Sequence, residues 1–317
     1  MALNIVLAVI LDRLIGDPPN WPHPVRFYGR LIAVLEKFIR AHIQNLKLGG
    51  YLLLIGSILS VLIPFEILSA ILPSILFNII SIYILFTSLA SRCLSIEAKK
   101  VAKAIEEDDI VLARLQLSYL VGRDTQNLSK DEVSRGVIET VAENSVDGVL
   151  APLFMMMIGL PMGLSVEFAM IYKIVNTLDS MVGYIHEPYK EIGFASAKFD
   201  DFLNFIPARL GALVMLVSGL FLNLNVKNGM KILKRDRLNH KSPNSGHPES
   251  VVAGLLNIQI GGTNHYFGNI VVKPTIGDAI DNLSSLKIEQ TTQIMFASMW
   301  IFTTMGSLIY LIAKGSL

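Results

Sequence analysis

The stretch LGGYLLLIGSILSVLIPFEILSAILPSILFNIISIYILFTSLAS, residues 48–91, decides the class of this protein. Glu66 is its only charged residue. The runs on either side, Leu48–Phe65 and Ile67–Ser91, each come close to the ~20 helical residues that cross a bilayer core. Two such runs in succession predict a pair of membrane helices, with Pro64 and Pro73 marking a tight hairpin or kink between them. Lys37, Arg40 and Lys47 precede the pair, and Arg92, Lys99, Lys100 and Lys103 follow it. An excess of Lys and Arg marks cytoplasmic loops, so both flanks are expected inside.

Three more uncharged stretches extend the pattern: Gly148–Val166, interrupted by Pro152 and Pro161, then Leu210–Val226, and finally Gln290–Ala313, which ends at Lys314. Met1–Leu11 is apolar but too short to span alone. It lacks a basic leader and a small-residue cleavage site, and so reads as mature protein. The composition agrees. Of 317 residues, 52% are hydrophobic and 17% charged, against about 25% charged in an average soluble domain. Mean hydropathy is +0.53. These observations predict an all-α, polytopic integral membrane protein, a single domain over 1–317 with the lipid bilayer as partner and the cell membrane as location. The polar stretches 92–147 and 227–289 read as cytoplasmic helices and loops. One conflict remains: if Leu210–Val226 crosses singly, the basic stretch 227–241 can land outside, and a re-entrant or buried helix would resolve it. The only strand candidate is Asn257–Val272. A net charge of +1 gives no basic field for nucleic acid. Cys93 is the only cysteine, which excludes an internal disulfide or a multi-cysteine metal site.

In so apolar a chain, polar residues in unexpected places carry the functional information. Asp12, Arg13, Asp17, His23 and Arg26 crowd into 15 residues beside an apolar segment. They suit an anion clamp through Arg26 with an acid near a cation, or an interfacial loop with internal ion pairs. Gly122-Arg123-Asp124-Thr125 suits a backbone anion nest or a helix end. Ser129 and Glu132 form a capping box for the next helix, Asp131 to about Val146. Glu139, Glu143 and Asp147 then stack at four-residue spacing, drifting about 40° per step. Like charges so placed destabilise a helix. A divalent cation would compensate them, unless they merely solvate a surface face. Further on, Lys173, Asn176, Thr177 and Ser180 share a face near Asp179, as a polar stripe lining a cavity or a structural Lys–Asp pair. Asp200 and Asp201 could hold Mg²⁺ or pair internally, ahead of Asn204 and Arg209. The last cluster opens with Arg235-Asp236-Arg237 and runs on into the turn-rich loop His240–Glu249 with Ser242 and Asn244; His240 and His247 could be metal ligands or hydrogen-bond partners, but no third close ligand completes a zinc pattern. Gly261-Gly262-Thr263-Asn264 is a further flexible loop. The usual phosphate-loop, dinucleotide, serine-hydrolase and zinc-protease motifs are absent.

Taken together and in order, LDRLIGDP (11–18), HPVRFYGR (23–30), VGRDT (121–125), AENSVDGVLAPLF (142–154), YKIVNTLDSMVGY (172–184), FASAKFDDFLNFIPARL (194–210) and HKSPNSGHPES (240–250), followed by AGLL and IGG, resemble the CobD/CbiB family of cobalamin biosynthesis. The resemblance runs from about residue 8 to about residue 280, and Lys198 stands where an arginine is common. It implies a membrane-bound adenosylcobinamide-phosphate synthase. That activity joins (R)-1-amino-2-propanol phosphate to a propionate carboxylate of adenosylcobyric acid at the expense of ATP. ATP and Mg²⁺ are the implied cofactors, adenosylcobyric acid and aminopropanol phosphate the small-molecule partners, and other corrinoid-pathway enzymes further partners. Within that reaction the candidate catalytic residues are Glu143, Asp179, Lys173 and His23. The candidates for substrate and phosphate are Arg26, Arg123, Asp124, Thr125, Asn176, Arg209, Ser242, Asn244 and His247. The candidates for metal are Glu139, Glu143, Asp147, Asp179, Asp200 and Asp201. The competing readings are a transporter or permease, disfavoured by the lack of paired halves, and a non-catalytic scaffold for corrinoid enzymes.

Overall fold

The computed structural model describes residues 1–18, 20–266 and 268–315. Its elements run α1 (Ala2–Leu14), α2 (Pro24–His42), α3 (Leu46–Ile71), α4 (Ser74–Thr87), α5 (Ser91–Glu106), α6 (Ile110–Ser118), α7 (Lys130–Ser145), a π-helical turn over Val146–Leu150, α8 (Ala151–Gly159), α9 (Ser165–Val182), α10 (Phe194–Phe221), α11 (Val226–Asp236), α12 (Gly246–Leu255), β1 (Gln259–Tyr266), β2 (Asn269–Gly277) and α13 (Ser285–Ala313). Five helical stretches among the described residues are long and apolar enough to cross a membrane: Leu46–Ile71, Ser74–Glu106, Lys130–Met162, Phe194–Phe221 and Ser285–Ala313. The protein is all-α and polytopic.

The five expected spans are all present, with shifted ends. The first pair breaks at Leu72–Pro73 rather than at Glu66. Pro64 sits inside α3, and Pro73 precedes α4 as its N-cap. A proline at a helix start loses no hydrogen bond, which makes Pro73 the natural stop. The third span begins well before Gly148, because α7 runs through the π-helical turn into α8. The strand expectation over 257–272, which includes residue 267 outside the described set, becomes an antiparallel hairpin of β1 and β2 with an irregular step at Gly261/Gly262.

The sequence reads as one domain; its contacts divide into two compact units. The first comprises 1–90, 151–204 and 305–317, and the second 91–150 and 205–304. Each is assembled from separated stretches of chain, so no linker marks a boundary. In the first unit α2, α3 and α4 surround α9, and α1 packs on α4. Asn4 donates to Asn78 Oδ1 at 2.7 Å across that α1–α4 contact, satisfying both amides in an apolar setting. In the second unit α11 lies against α12. They approach so closely that a Cβ at Gly254 would fall 2.7 Å from the Gly229 Cα. Leu255 and Val226 cover Gly219 near the end of α10. One side of the latter part of α10, at Gly211, Ala212, Met215, Leu216 and Gly219, is thus covered by protein, while Leu213, Val217, Leu220 and Phe221 on the other side are exposed.

Candidate functional site

The second unit builds a polar centre from α7, α12, the loop before each, and the hairpin. The capping box fixes where α7 starts: Ser129 Oγ accepts the Glu132 N–H at 3.3 Å, and Glu132 Oε2 accepts the Ser129 N–H at 2.7 Å. Glu139 follows on the buried side. Arg123 donates one guanidinium nitrogen to Glu139 Oε2 and another to Asn264 Oδ1. The Gly261 N–H donates to Glu139 Oε1 at 2.8 Å. Arg135 lies 3.8 Å from the same oxygen and donates to the Thr263 carbonyl at 2.7 Å. Arg123, Glu139 and Asn264 are all buried. A buried carboxylate is tolerable only when paired and hydrogen-bonded in this way.

The acids of the stack meet different surroundings. The charge of Glu139 is compensated by Arg123 and Arg135. Asp147 lies in the π-helical turn after α7 ends at Ser145. Glu143 remains on α7 and accepts the Ser245 hydroxyl at 2.7 Å. Arg123, expected to hold phosphate, is committed to Glu139 and Asn264. Asp124 accepts the Gly268 N–H at 2.8 Å and so fastens its loop to the hairpin turn. Thr125 is buried beside them, its carbonyl accepting the Leu128 N–H.

The loop into α12 is ordered by its own short polar side chains. Ser242 Oγ accepts the N–H groups of Asn244 and Ser245 at 3.2 and 3.3 Å, and His240 Nδ1 accepts the Ser242 N–H at 3.0 Å. Glu249, in the first turn of α12, is fully enclosed. Burial, then the nearby Glu143 and Glu139, push its carboxyl well above the usual carboxylate range. The shift favours its protonated form. His240 Nε2 lies 3.8 Å from Glu249 Oε1, and burial followed by the Lys273 charge lowers its pKa. His247, one turn-position into α12, is buried with its Nε2 unpartnered. Burial, then Arg209 and Arg237, lower its pKa to about 4. Arg209 lies 3.4 Å over the Phe205 ring and donates to the Phe205 carbonyl at 2.6 Å and to Asn244 Oδ1 at 3.4 Å.

The remaining candidates belong to the first unit. His23 caps α2, its Nδ1 accepting the Val25 N–H at 3.2 Å and its Nε2 lying 3.1 Å from Asp17 Oδ1. Arg26 is exposed in the first turn of α2. On α9, Asn176 donates to Asp200 Oδ1 at 3.4 Å, and Asn204 donates to Asp200 Oδ2 at 3.0 Å while accepting from the Tyr172 hydroxyl at 2.9 Å. Asp201 is 3.5 Å from Lys198. Lys173 lends its carbonyl to Thr177, and Asp179 lies over Gly183, whose place a Cβ would contest at 1.9 Å. No group of three or more His, Cys, Asp or Glu among the described residues is arranged to hold a metal ion. Magnesium does not need such a cage, since it commonly takes one or two carboxylates together with substrate phosphates. Glu143 fits that smaller requirement, and Glu139, with both oxygens engaged, does not.

These motifs sit in a chain with close relatives. The family model described as CobD/Cbib protein matches residues 5–295. This chain belongs to the CobD/CbiB family. It is 46% identical to a cobalamin biosynthesis protein CobD of Clostridium tetani over 301 residues, covering 93% of each chain. A CobD of Clostridium acetobutylicum is 45% identical over 95% of each. A cobalamin biosynthesis protein CbiB of Salmonella paratyphi B is 40% identical over 97% of this chain and 96% of its own. No solved structure matches significantly. Like the CobD/CbiB proteins it matches along nearly its whole length, this protein has a role in cobalamin biosynthesis. Within that family setting, sequence reasoning passed over Glu249, Arg135, Arg237 and Asn264 as site residues. Glu249 and Asn264 stood inside motifs already singled out, but their burial was a tertiary fact.

Proposed function

We propose that this protein is the amide-forming ligase implied by its family. It would join (R)-1-amino-2-propanol, as its phosphate, to a propionate carboxylate of adenosylcobyric acid in the cell membrane, using ATP. The observation that carries this reading is the buried acid–base centre of the second unit. There Glu143, Glu249 and His240 lie together in an otherwise apolar chain, with the Glu249 carboxyl pushed well above the usual carboxylate range by burial and by Glu143 and Glu139. Structural ion pairs alone do not call for a buried acid held beside another carboxylate.

The chemistry needs those groups. A carboxylate does not condense with an amine in water unassisted. Transfer of the ATP γ-phosphoryl makes an acyl phosphate and releases ADP. The amine then attacks the carbonyl carbon, the C–O bond to phosphate breaks, and the nitrogen loses a proton. Glu143 is the base that takes this proton, oriented by the Ser245 hydroxyl. In the earlier phosphoryl-transfer step, before the amine attacks, Glu143 would help hold Mg²⁺, which would screen phosphate charge. Arg209, Ser242, Asn244 and His247 form the phosphate side of the site. Within the first unit, Lys173, Asn176 and Asp179 on α9 form a separate polar stripe suited to substrate.

The test is a coupling assay on detergent-purified protein with adenosylcobyric acid, aminopropanol phosphate, ATP and Mg²⁺, following corrinoid mass and phosphate release. An ATP-dependent product heavier by the aminopropanol phosphate unit is expected. Folded protein that makes no product, alone or with soluble pathway enzymes, would favour a transport or scaffolding role.

A further inference from the structure

Two of the arginines near this centre are already paired with carboxylates. Arg123 is paired with Glu139, and Arg235 is paired with Asp236 and Asp278. Arg209 and Arg237 differ. Neither has a carboxylate within ion-pair distance among the described residues, and both donate to neutral acceptors: Arg209 to Phe205 and Asn244, Arg237 to the Lys234 carbonyl. Both are close enough to His247 to act on it electrostatically. His247 is 6% exposed and its Nε2 has no partner. It stands in the first turn of α12, a ten-residue helix whose N-terminal peptide groups carry partial positive charge.

Two uncompensated guanidinium groups beside a buried, unsatisfied ring nitrogen at a helix start would repel one another with nothing between them. A buried polar atom without a partner is costly and calls for an explanation. A dianion supplies it. We propose that Arg209, Arg237 and His247 form a phosphomonoester-binding subsite at the N-terminus of α12, with Arg237 a binding residue that the sequence motifs did not indicate. The two arginines supply charge and the neutral imidazole a single Nε2–H donor, while the planar guanidinium forks suit phosphate oxygens. Gly246 keeps the approach tight, since a Cβ there would lie 2.4 Å from the Arg237 carbonyl oxygen. The subsite is tied to the acid–base centre through consecutive residues, because Ser245, which holds Glu143, directly precedes α12. Its place in the coupling reaction rests on the function proposed above; the anion site itself rests on this geometry.

The test is calorimetric titration of the full chain in detergent at fixed ionic strength, with inorganic phosphate as the first probe. Wild type is expected to bind it. Arg237→Gln and His247→Phe should each weaken binding about tenfold or more, at unchanged melting temperature. Arg237→Lys should restore part of the affinity. Lys227→Gln, on the exposed side of α11, should leave affinity unchanged and so control for net charge. Competition then identifies the source of the phosphate: displacement by ATP assigns the subsite to the nucleotide, and displacement by aminopropanol phosphate but not by aminopropanol assigns it to the amino alcohol. Folded wild type that binds no phosphate, or Arg237→Gln and His247→Phe variants that bind it as wild type does, would overturn the proposal. Phosphate binding lost in the variants, with no coupling by wild type, would remove the reaction and keep the subsite. Coupling by wild type, with phosphate binding unaltered in the variants, would do the reverse.

Discussion

Arg123 and Glu139 are paired in the interior of the second unit, both buried, and each is also bonded to the hairpin: Arg123 to Asn264, Glu139 to the Gly261 N–H. The pair therefore fastens a loop, a helix and a strand at one point. Removing either partner leaves the other charge buried and unmatched. Arg123→Ala is expected to destabilise by about 3–5 kcal/mol, and Glu139→Gln by less, because an amide oxygen still accepts from Gly261. Thermal unfolding of the detergent-solubilised variants checks this; an unchanged melting temperature for Arg123→Ala would contradict it.

Glu143 is the carboxylate of α7 that the arginines leave available for chemistry. Glu143→Gln keeps the size and the acceptor for Ser245 but cannot take a proton. Coupling should fall by about 10²–10⁴-fold while the protein remains folded. Retention of most of the wild-type rate would remove Glu143 from the chemical step.

Burial beside Glu143 and Glu139 pushes the Glu249 carboxyl well above the usual carboxylate range and favours its protonated form. A protonated acid is closely mimicked by an amide. Glu249→Gln should therefore melt close to wild type at pH 7, whereas Glu249→Ala leaves a cavity and should cost about 1–3 kcal/mol. Equal losses in the two variants would show that Glu249 is charged in the folded protein.

His247 gives the fold an acid-sensitive component. Its pKa is lowered to about 4 by burial and by Arg209 and Arg237, against about 6.5 in an unfolded chain. The unfolded state thus binds the extra proton between those values, so stability falls as pH drops from about 6.5 to 4. The full effect is on the order of 3 kcal/mol. Melting temperature against pH should show this slope, and His247→Phe should flatten it. Bound phosphate should flatten it too, by stabilising the imidazolium.

The α11–α12 contact depends on two glycines. A Cβ at Gly254 would lie 2.7 Å from the Gly229 Cα and 2.8 Å from the Asn228 carbonyl oxygen, both backbone atoms that cannot yield as a flexible side chain does. Gly254→Ala should cost about 1–3 kcal/mol and move α11, with Arg237 at its C-terminal end, away from the α12 that carries His247. Phosphate affinity and melting temperature should fall together, unlike the binding-only loss expected for Arg237→Gln.

The sequence alone determined that this is a polytopic helical membrane protein, and even roughly where it crosses. Long uncharged runs have few structural options in a bilayer, since a spanning backbone must satisfy its own hydrogen bonds. It also determined the capping box at Ser129, a local interaction over three residues, and it exposed the family through seven ordered motifs. What it could not determine was which charges answer which. The acids at four-residue spacing look alike in sequence, yet Glu139 is neutralised by Arg123, Glu143 is held by Ser245, 102 residues further along the chain, and Asp147 lies in the π-helical turn beyond α7. Arg123 and Arg209 look equally suited to phosphate, yet only Arg209 lacks a carboxylate partner among the described residues. Those distinctions rest on burial and on contacts between residues far apart in sequence. The tertiary structure alone decides them, because the energy of a charge depends on its surroundings far more than on its neighbours in the chain.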